Sequence, residues 1–285
     1  MKKAFYVFAC ILLICACDKT SLDPDNGSVE QPVKEPETTN NQQQRTQFQS
    51  IVVKSDDGEW SFSYGQDGKI LQYTSKVTED WGSSVTLEMN SSYSYSYSGS
   101  VLTETISSEE KIGSDVSSNS DKDIALVFLN GCIDRWMEIT SSGYREHYYE
   151  YEDGFLTLEE YRNGSDIRYT NYIWEDSCLA KITKQDADSP VYAEYSFTYG
   201  EDSNPYYGSN CDPIVIWFWP GDNTGWKAAG LMGNSSKRLP VSVKYQNEDS
   251  TITYSIEYTY SSGSLSGMNI TSSSNKIMTY SITSR

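Results

Sequence analysis

From Gln49 onward the chain alternates apolar and polar residues with a period of two, and this constrains its fold more than any other feature. Trp60, Phe62 and Tyr64 are separated by polar residues, as are Val85, Leu87 and Met89, and Tyr93, Tyr95 and Tyr97. The same spacing returns in Val191, Ala193, Tyr195, Phe197 and Tyr199, in Ile252, Tyr254, Ile256, Tyr258 and Tyr260, and in Met278, Tyr280 and Ile282. Successive side chains of a strand point to opposite faces, so each run has one apolar and one polar face. Antiparallel strands, wet on one side, are the expected elements.

The turns fit hairpins. Gln66-Asp67-Gly68, Ser98-Gly99-Ser100, Asn130-Gly131, Glu152-Asp153-Gly154, Asn163-Gly164 and Ser262-Gly263-Ser264 each sit between two alternating runs. Asn-Gly and Asp-Gly supply the positive φ that tight hairpin turns demand. A loose repeat accompanies them: Phe62-Ser-Tyr64, Tyr95-Ser-Tyr97, Tyr149-Glu-Tyr151 and Tyr258-Thr-Tyr260 each enter a turn. Aromatic pairs two residues apart are expected to stack across neighbouring strands.

One segment breaks the period, between Gly200 and Val241. Asp212 before Pro213 reads as an N-cap and first helical residue, and Ile214 to Trp219 is apolar without alternation until Pro220. The expected fold is therefore all-β, a curved antiparallel meander or barrel-like sheet with one short helical plug near residues 212-232. Trp217, Phe218, Trp219 and Trp226 belong to that plug. They serve either as core or, at Trp217, Trp219 and Trp226, as ligand contacts.

Ahead of the sheet lie two segments of other character. Lys2 and Lys3 precede an apolar run from Ala4 to Cys15, too short for a membrane-spanning helix, and Ile14-Cys15-Ala16-Cys17 has the pattern of a lipobox. Residues 1-16 are read as a signal peptide and Cys17 as the lipidated residue, its acyl chains being the membrane partner. The rest of 17-49 has prolines at 24, 32 and 36 and almost no apolar residue before Phe48, a composition that cannot offset its ordering entropy. It is read as a disordered tether, and 50-285 as a single antiparallel β domain.

Charge and chemistry remove several function classes. The chain has 22 Lys plus Arg against 40 Asp plus Glu, a net charge of −18, and no cluster of basic residues larger than Lys237-Arg238. Nucleic acid is not an expected partner, because that affinity comes from basic groups displacing counterions. With His147 as the lone histidine and no C-x-x-C among Cys132, Cys178 and Cys211, a structural zinc site lacks ligands. These three cysteines are read as buried thiols or as one bridge and a thiol. Ser55-Asp56-Asp57-Gly58 and Asp23-Pro24-Asp25-Asn26-Gly27 lack the ligand spacing of a calcium loop. Carboxylates for a glycosidase pair are abundant (Glu146, Glu150, Glu152, Asp153, Glu159, Glu160, Glu175 and Asp176), yet all fall where a wet sheet face carries them. His147, in His-Tyr-Tyr-Glu-Tyr, is read as a strand histidine. No catalytic residue, cofactor or metal is expected.

The lipobox and tether, the Tyr-x-Tyr hairpins and the stretch Gly230-Leu-Met-Gly233-x-Ser-Ser-Lys237-x-Leu239-Pro240 together resemble the Gram-negative lipoproteins that carry the domain of unknown function 4595, porin-like in fold. The resemblance implies a curved sheet approaching a barrel, and no activity. The expected function is a lipid-anchored protein of the bacterial cell envelope, at the surface or periplasmic face of the outer membrane, binding or scaffolding a glycan or protein without catalysis. A carbohydrate- or lipid-binding protein using the curved sheet and Trp217-Trp226 is the alternative, and a glycoside hydrolase the second.

Overall fold

The computed structural model describes residues 47–80, 86–128, 131–140, 143–218, 224–274 and 277–285. Cys17, the leader, most of the tether, Trp219, Val85 and Asn130 lie outside these residues. Sixteen strands follow in order: β1 (Ser50–Ser55), β2 (Gly58–Tyr64), β3 (Ile70–Asp80), β4 (Thr86–Ser98), β5 (Val101–Ile112), β6 (Asp115–Val127), β7 (Ile133–Thr140) and β8 (Gly143–Glu152). The second half comprises β9 (Phe155–Asn163), β10 (Asp166–Glu175), β11 (Cys178–Asp186), β12 (Ala193–Ser203), β13 (Arg238–Asn247), β14 (Thr251–Ser261), β15 (Ser264–Ser272) and β16 (Ile277–Ser284). Between β12 and β13 come a 3-10 helix, Pro213–Trp217, and the helix α1, Thr224–Ala228.

Each strand pairs antiparallel with its sequence neighbour, and β1 pairs with β16, so the sheet is a closed barrel. Closure gives every strand a ladder partner on both sides over at least part of its length, which suppresses edge-to-edge aggregation. Strands β1–β6 are continuous with the rest of the barrel. Val191, expected in a strand, is exposed ahead of β12, which begins at Ala193.

The alternation decides which face turns inward. Ile51, Phe62, Leu102, Ala125, Leu156, Ile182, Val243, Ile256, Met268 and Ile282 are buried inside the barrel. Their strand neighbours point out: Ser61 beside Thr74, Ser196 beside Lys181 and Lys244, Ser242 beside Ser255, Glu257 beside Asn269, and Asn269 beside Thr279. The outer wall is thus a belt of serine, threonine and charged residues. Its main apolar interruption runs across β6–β10, where Ile124, Leu126, Met137, Ile139, Tyr144, Tyr148, Leu158, Ile167, Tyr169 and Ile173 share the outer phase with charged neighbours such as Arg135, Glu146 and Glu160.

The described residues between Asn204 and Lys237 fold into one end of the barrel and close it. At that end the hairpins β7–β8, β9–β10, β11–β12 and β13–β14 splay apart, their last ladder pairs being Arg135 with Tyr148, Asn171 with Leu158, Lys181 with Ser196, and Ser242 with Ser255. The splay would strand a carbonyl on each outgoing strand, and an aromatic side chain meets each one. Tyr151 donates to Ile133 O (2.8 Å), Trp174 to Leu156 O (2.7 Å), Tyr199 to Leu179 O (3.0 Å) and Tyr258 to Pro240 O (2.7 Å). Register shifts beside Tyr151, Trp174, Tyr199 and Tyr260 accompany the splay. The aromatic repeat therefore works through its polar tips here, and only in places by the expected cross-strand stacking, as between Phe62 and Tyr73 at 4.7 Å.

The plug takes up the freed backbone groups. Ile133 N donates to Leu231 O, Asn234 N to Gly154 O, and Lys237 N to Ser177 O. Gly233 forms a bridge with Phe155; its φ is +77°, and a Cβ there would lie 2.6 Å from Gly154 O, so only glycine fits. The chain also enters the barrel at this plugged end. Phe48 packs on Tyr206 of the plug at 5.4 Å, and Gln49 N donates to Arg285 O. The other end of the barrel is its mouth.

Candidate functional site

The plug forms a floor across the lumen, and buried polar contacts hold it. Asp212 accepts a hydrogen bond from Ile214 N at 3.2 Å, with Pro213 opening the 3-10 helix, as the Asp-Pro step predicts. Lys227, on α1, is 1% exposed and donates to the carbonyls of Met232 (3.1 Å) and Asn234 (2.8 Å). Burial lowers its pKa to about 8, and the buried Asp212 works against that shift. Burial likewise raises Asp212, with Ser235 and Lys227 opposing. Tyr199, Asn204, Asp212, Lys227 and Ser236 line a cavity of ≈ 10 Å³ within the floor, enough for about one water.

Two tryptophans of the floor reach different walls. Trp226 donates its indole N–H to Glu104 Oε1 at 2.7 Å and lies 4.8 Å from Trp136, which stacks on His147 at 4.3 Å. Trp217 packs against Phe218 at 5.0 Å and Tyr254 at 5.7 Å; Phe218 meets Phe197 at 5.2 Å. Tyr195 and Tyr245, 4.8 Å apart, continue this aromatic wall toward the mouth. In the ring of strands the wall of β12–β14 lies about half the circumference from that of β4–β5.

The wall of β3–β6 is acidic on its inner face. By register, Glu79, Glu104, Glu110, Asp115, Asp121 and Asp123 share that face with Tyr73, Tyr93 and Tyr95, and no Lys or Arg does. Lys76, Lys111 and Lys122 take the outer phase. Glu104 and Asp123 are cross-strand partners, each 3% exposed. Burial raises Glu104 to about 7, against the hydrogen bond from Trp226 and the nearby Tyr95 hydroxyl. It raises Asp123 to about 6, against the Ile139 amide. The Trp136 indole N–H turns toward Asp123 and stops short of a hydrogen bond.

Beside this wall stands a second buried group. His147 Nδ1 bonds Glu159 Oε1 at 3.0 Å, and Tyr172 donates to Glu159 Oε2 at 3.2 Å. Burial alone pushes the Glu159 carboxyl up, but His147, Lys184 and Tyr172 outweigh it and hold it below the ordinary value. His147 Nε2 is buried without a partner.

The residues singled out from sequence separate. Trp217 is half-buried at the floor, where a ligand could meet it. Trp226 is 4% exposed and bonded to Glu104, so it is part of the core and not a binding platform; its indole N–H gives it a partner inside the barrel that spacing alone does not reveal. The eight carboxylates do not converge: Glu146 pairs with Arg135 and Glu160 with Arg162 on the outer wall, while Glu159 points inward. Cys132, Cys178 and Cys211 are buried and unbridged. Among the described residues no group of three metal-ligating side chains occurs. Glu104 and Asp123 were legible but unread: Leu102-x-Glu104-x-Ile106 and Asp123-x-Ala125-x-Val127 put both acids on the apolar phase of their strands.

No family model and no curated protein matches the chain. Among solved structures it is similar to a porin-like protein from Bacteroides uniformis ATCC 8492, with a TM-score of 0.60 at 13% identity over 85% of this chain and 99% of that one. The fold is shared. A porin-like protein from Bacteroides vulgatus ATCC 8482 aligns at 13% identity over 84% of this chain and 98% of that one, with a TM-score of 0.47. Identity this low carries over architecture only.

Proposed function

We propose that the protein is a non-enzymatic, lipid-anchored envelope protein whose barrel stands in water and binds a ligand in the mouth half of its lumen. The polarity of the wall carries this reading. A membrane barrel presents an apolar band of about 25 Å to lipid and keeps its polar residues inside; here serine, threonine and charged side chains face out and the core faces in. Among the described residues no helix is long and apolar enough to cross a bilayer. A barrel crosses with strands, so its outer wall is the relevant surface, and that wall suits water. The floor built by residues 204–218 and 224–237 argues for a cup over a channel.

Anchoring rests on Cys17 and the tether. Roughly 30 residues of coil separate Cys17 from Phe48, an end-to-end distance on the order of 30 Å. Because Phe48 packs on the plug, the plugged end would face the bilayer and the mouth would face away. The lipobox and the Gly230 to Pro240 stretch, which supplies the bridge to Phe155, also favour grouping the chain with the lipoproteins of domain of unknown function 4595.

Protease cleavage within the tether of membranes carrying the full chain tests the reading. The barrel is expected in the supernatant without detergent; a barrel that stays in the membrane pellet after complete cleavage contradicts it. Cys17→Ala should incorporate no labelled palmitate, and normal labelling would remove the anchor from the account.

A further inference from the structure

The barrel wall is uneven at the mouth. From β3 to β6 every ladder runs to the hairpin tips: Asp80 pairs with Thr86, Leu87 with Ile112, and Ile112 with Asp115. The ladder between β6 and β7 stops instead at Ile124 and Met137, so residues 115–123 of β6 pair with β5 on one side and with no described strand on the other. That is roughly 25–30 Å of strand at about 3.3 Å per residue. Asp123 sets the stop. Its Oδ1 accepts from Ile139 N at 3.2 Å, taking the donor that a further rung to β7 would use. Above it Val116, Ser117, Ser118 and Ser120 are exposed, side chains of both phases alike, so no described element covers the tip.

An uncovered edge offers alternate backbone N–H and C=O groups to an incoming strand, and the side chains beside it decide which strand fits. On the inner phase stand Asp115, Ser117, Asn119, Asp121 and Asp123, with Glu110 cross-strand from Ser117 and no basic residue. On the outer phase stand Val116, Ser118, Ser120 and Lys122. At the foot of the edge Glu138 of β7 is bonded to Arg145 at 3.1 Å, while the cross-strand partners Ile139 and Tyr144 are 47% and 64% exposed. A second copy of β6 does not suit this edge. In an antiparallel register that keeps the pleat its acidic phase would lie opposite this one, and like charges directly opposite repel. We infer that the β6 edge takes up an extended peptide segment of a partner protein as an added antiparallel strand, with basic residues facing Asp115 and Asp121 and an apolar residue reaching Ile139 and Tyr144. The surface lies at the rim above β7 and does not depend on the reading of the barrel as a cup.

Fluorescein-labelled peptides titrated against the full chain, read by anisotropy, test it. A peptide of alternating lysine and valine, long enough to span the edge, should bind saturably, and one of alternating glutamate and valine should not. A peptide of alternating lysine and proline keeps the charge and lacks the backbone donors, so it should bind about tenfold more weakly or not at all. Amide hydrogen exchange should slow within residues 115–123 when the lysine and valine peptide is bound. Asp115 is exposed and Asp121 half-buried, so the double variant Asp115→Asn, Asp121→Asn should fold; it should bind that peptide about tenfold more weakly, as the loss of two cross-strand charge pairs predicts. Equal binding of the lysine and proline peptide would reduce the interaction to charge and overturn strand addition. No binding of the lysine and valine peptide, protection confined to other strands, or unchanged affinity in the double variant would overturn the site.

Discussion

At the scale of single residues, the interior depends on polar groups that the alternation hides among apolar ones. Glu104 sits on an apolar phase, bonded to Trp226 and cross-strand from Asp123. Because burial raises its pKa from the ordinary 4.5 to about 7, the folded state holds a proton that the unfolded chain releases. Its stabilising effect is full below about 4.5 and is lost as the pH rises through about 7. Urea midpoints should therefore fall from pH 5 to pH 8, and Glu104→Gln should flatten that fall; an unchanged slope would argue against a buried, protonated Glu104. Trp226→Phe should cost about 1–3 kcal/mol, because the carboxyl would remain buried without its donor. At Gly233, an alanine would meet Gly154 O in a left-handed backbone conformation, and Gly233→Ala should lower stability by about 1–3 kcal/mol or more. Denaturant midpoints of these two variants check both values.

At the scale of elements, the hairpins were plain in the sequence because two local signals agree: period-two patterning and glycine turns such as Asp67-Gly68 and Asn163-Gly164, whose glycines do adopt positive φ. The helical plug was equally plain, since Asp212-Pro213 fixes its start whatever surrounds it. What the elements do at the plugged end was not legible. The splay of four hairpins, and the capping of Ile133, Leu156, Leu179 and Pro240 carbonyls by Tyr151, Trp174, Tyr199 and Tyr258, join residues 18 to 20 apart through register alone. No local pattern encodes which carbonyl will be stranded. Tyr151→Phe, Tyr199→Phe and Tyr258→Phe should each lower stability by about 1 kcal/mol, and the cost should add across the triple variant, because the sites share no partner. Strongly non-additive losses would mean that the plugged end unfolds as one cooperative unit.

At the scale of the whole molecule, sequence reading reached a barrel-like sheet but could not decide closure, which depends on Ile51 to Lys54 of β1 meeting Ser281 to Ser284 of β16 across nearly the full chain. Nor could it tell which wall of the lumen faces which: the acidic face of β3–β6 ends at Val127 and the aromatic wall of β12–β14 begins at Ala193, and the two line one lumen only on closure. The same closure makes the polarity of the wall a property of the molecule. Lys54, Ser61, Thr183, Ser196, Glu257 and Thr279 all face outward on different strands, and together they define a barrel that shares its architecture with a porin-like protein while presenting a surface suited to water. The most direct measurement is a spin-label scan of Ser61, Thr183, Ser196, Glu257 and Thr279, each changed to cysteine in the full chain bound to lipid vesicles. Every site should be relaxed by a water-soluble paramagnetic reagent and little by oxygen dissolved in the bilayer. A contiguous belt of sites relaxed preferentially by oxygen would place the wall in lipid and contradict the account.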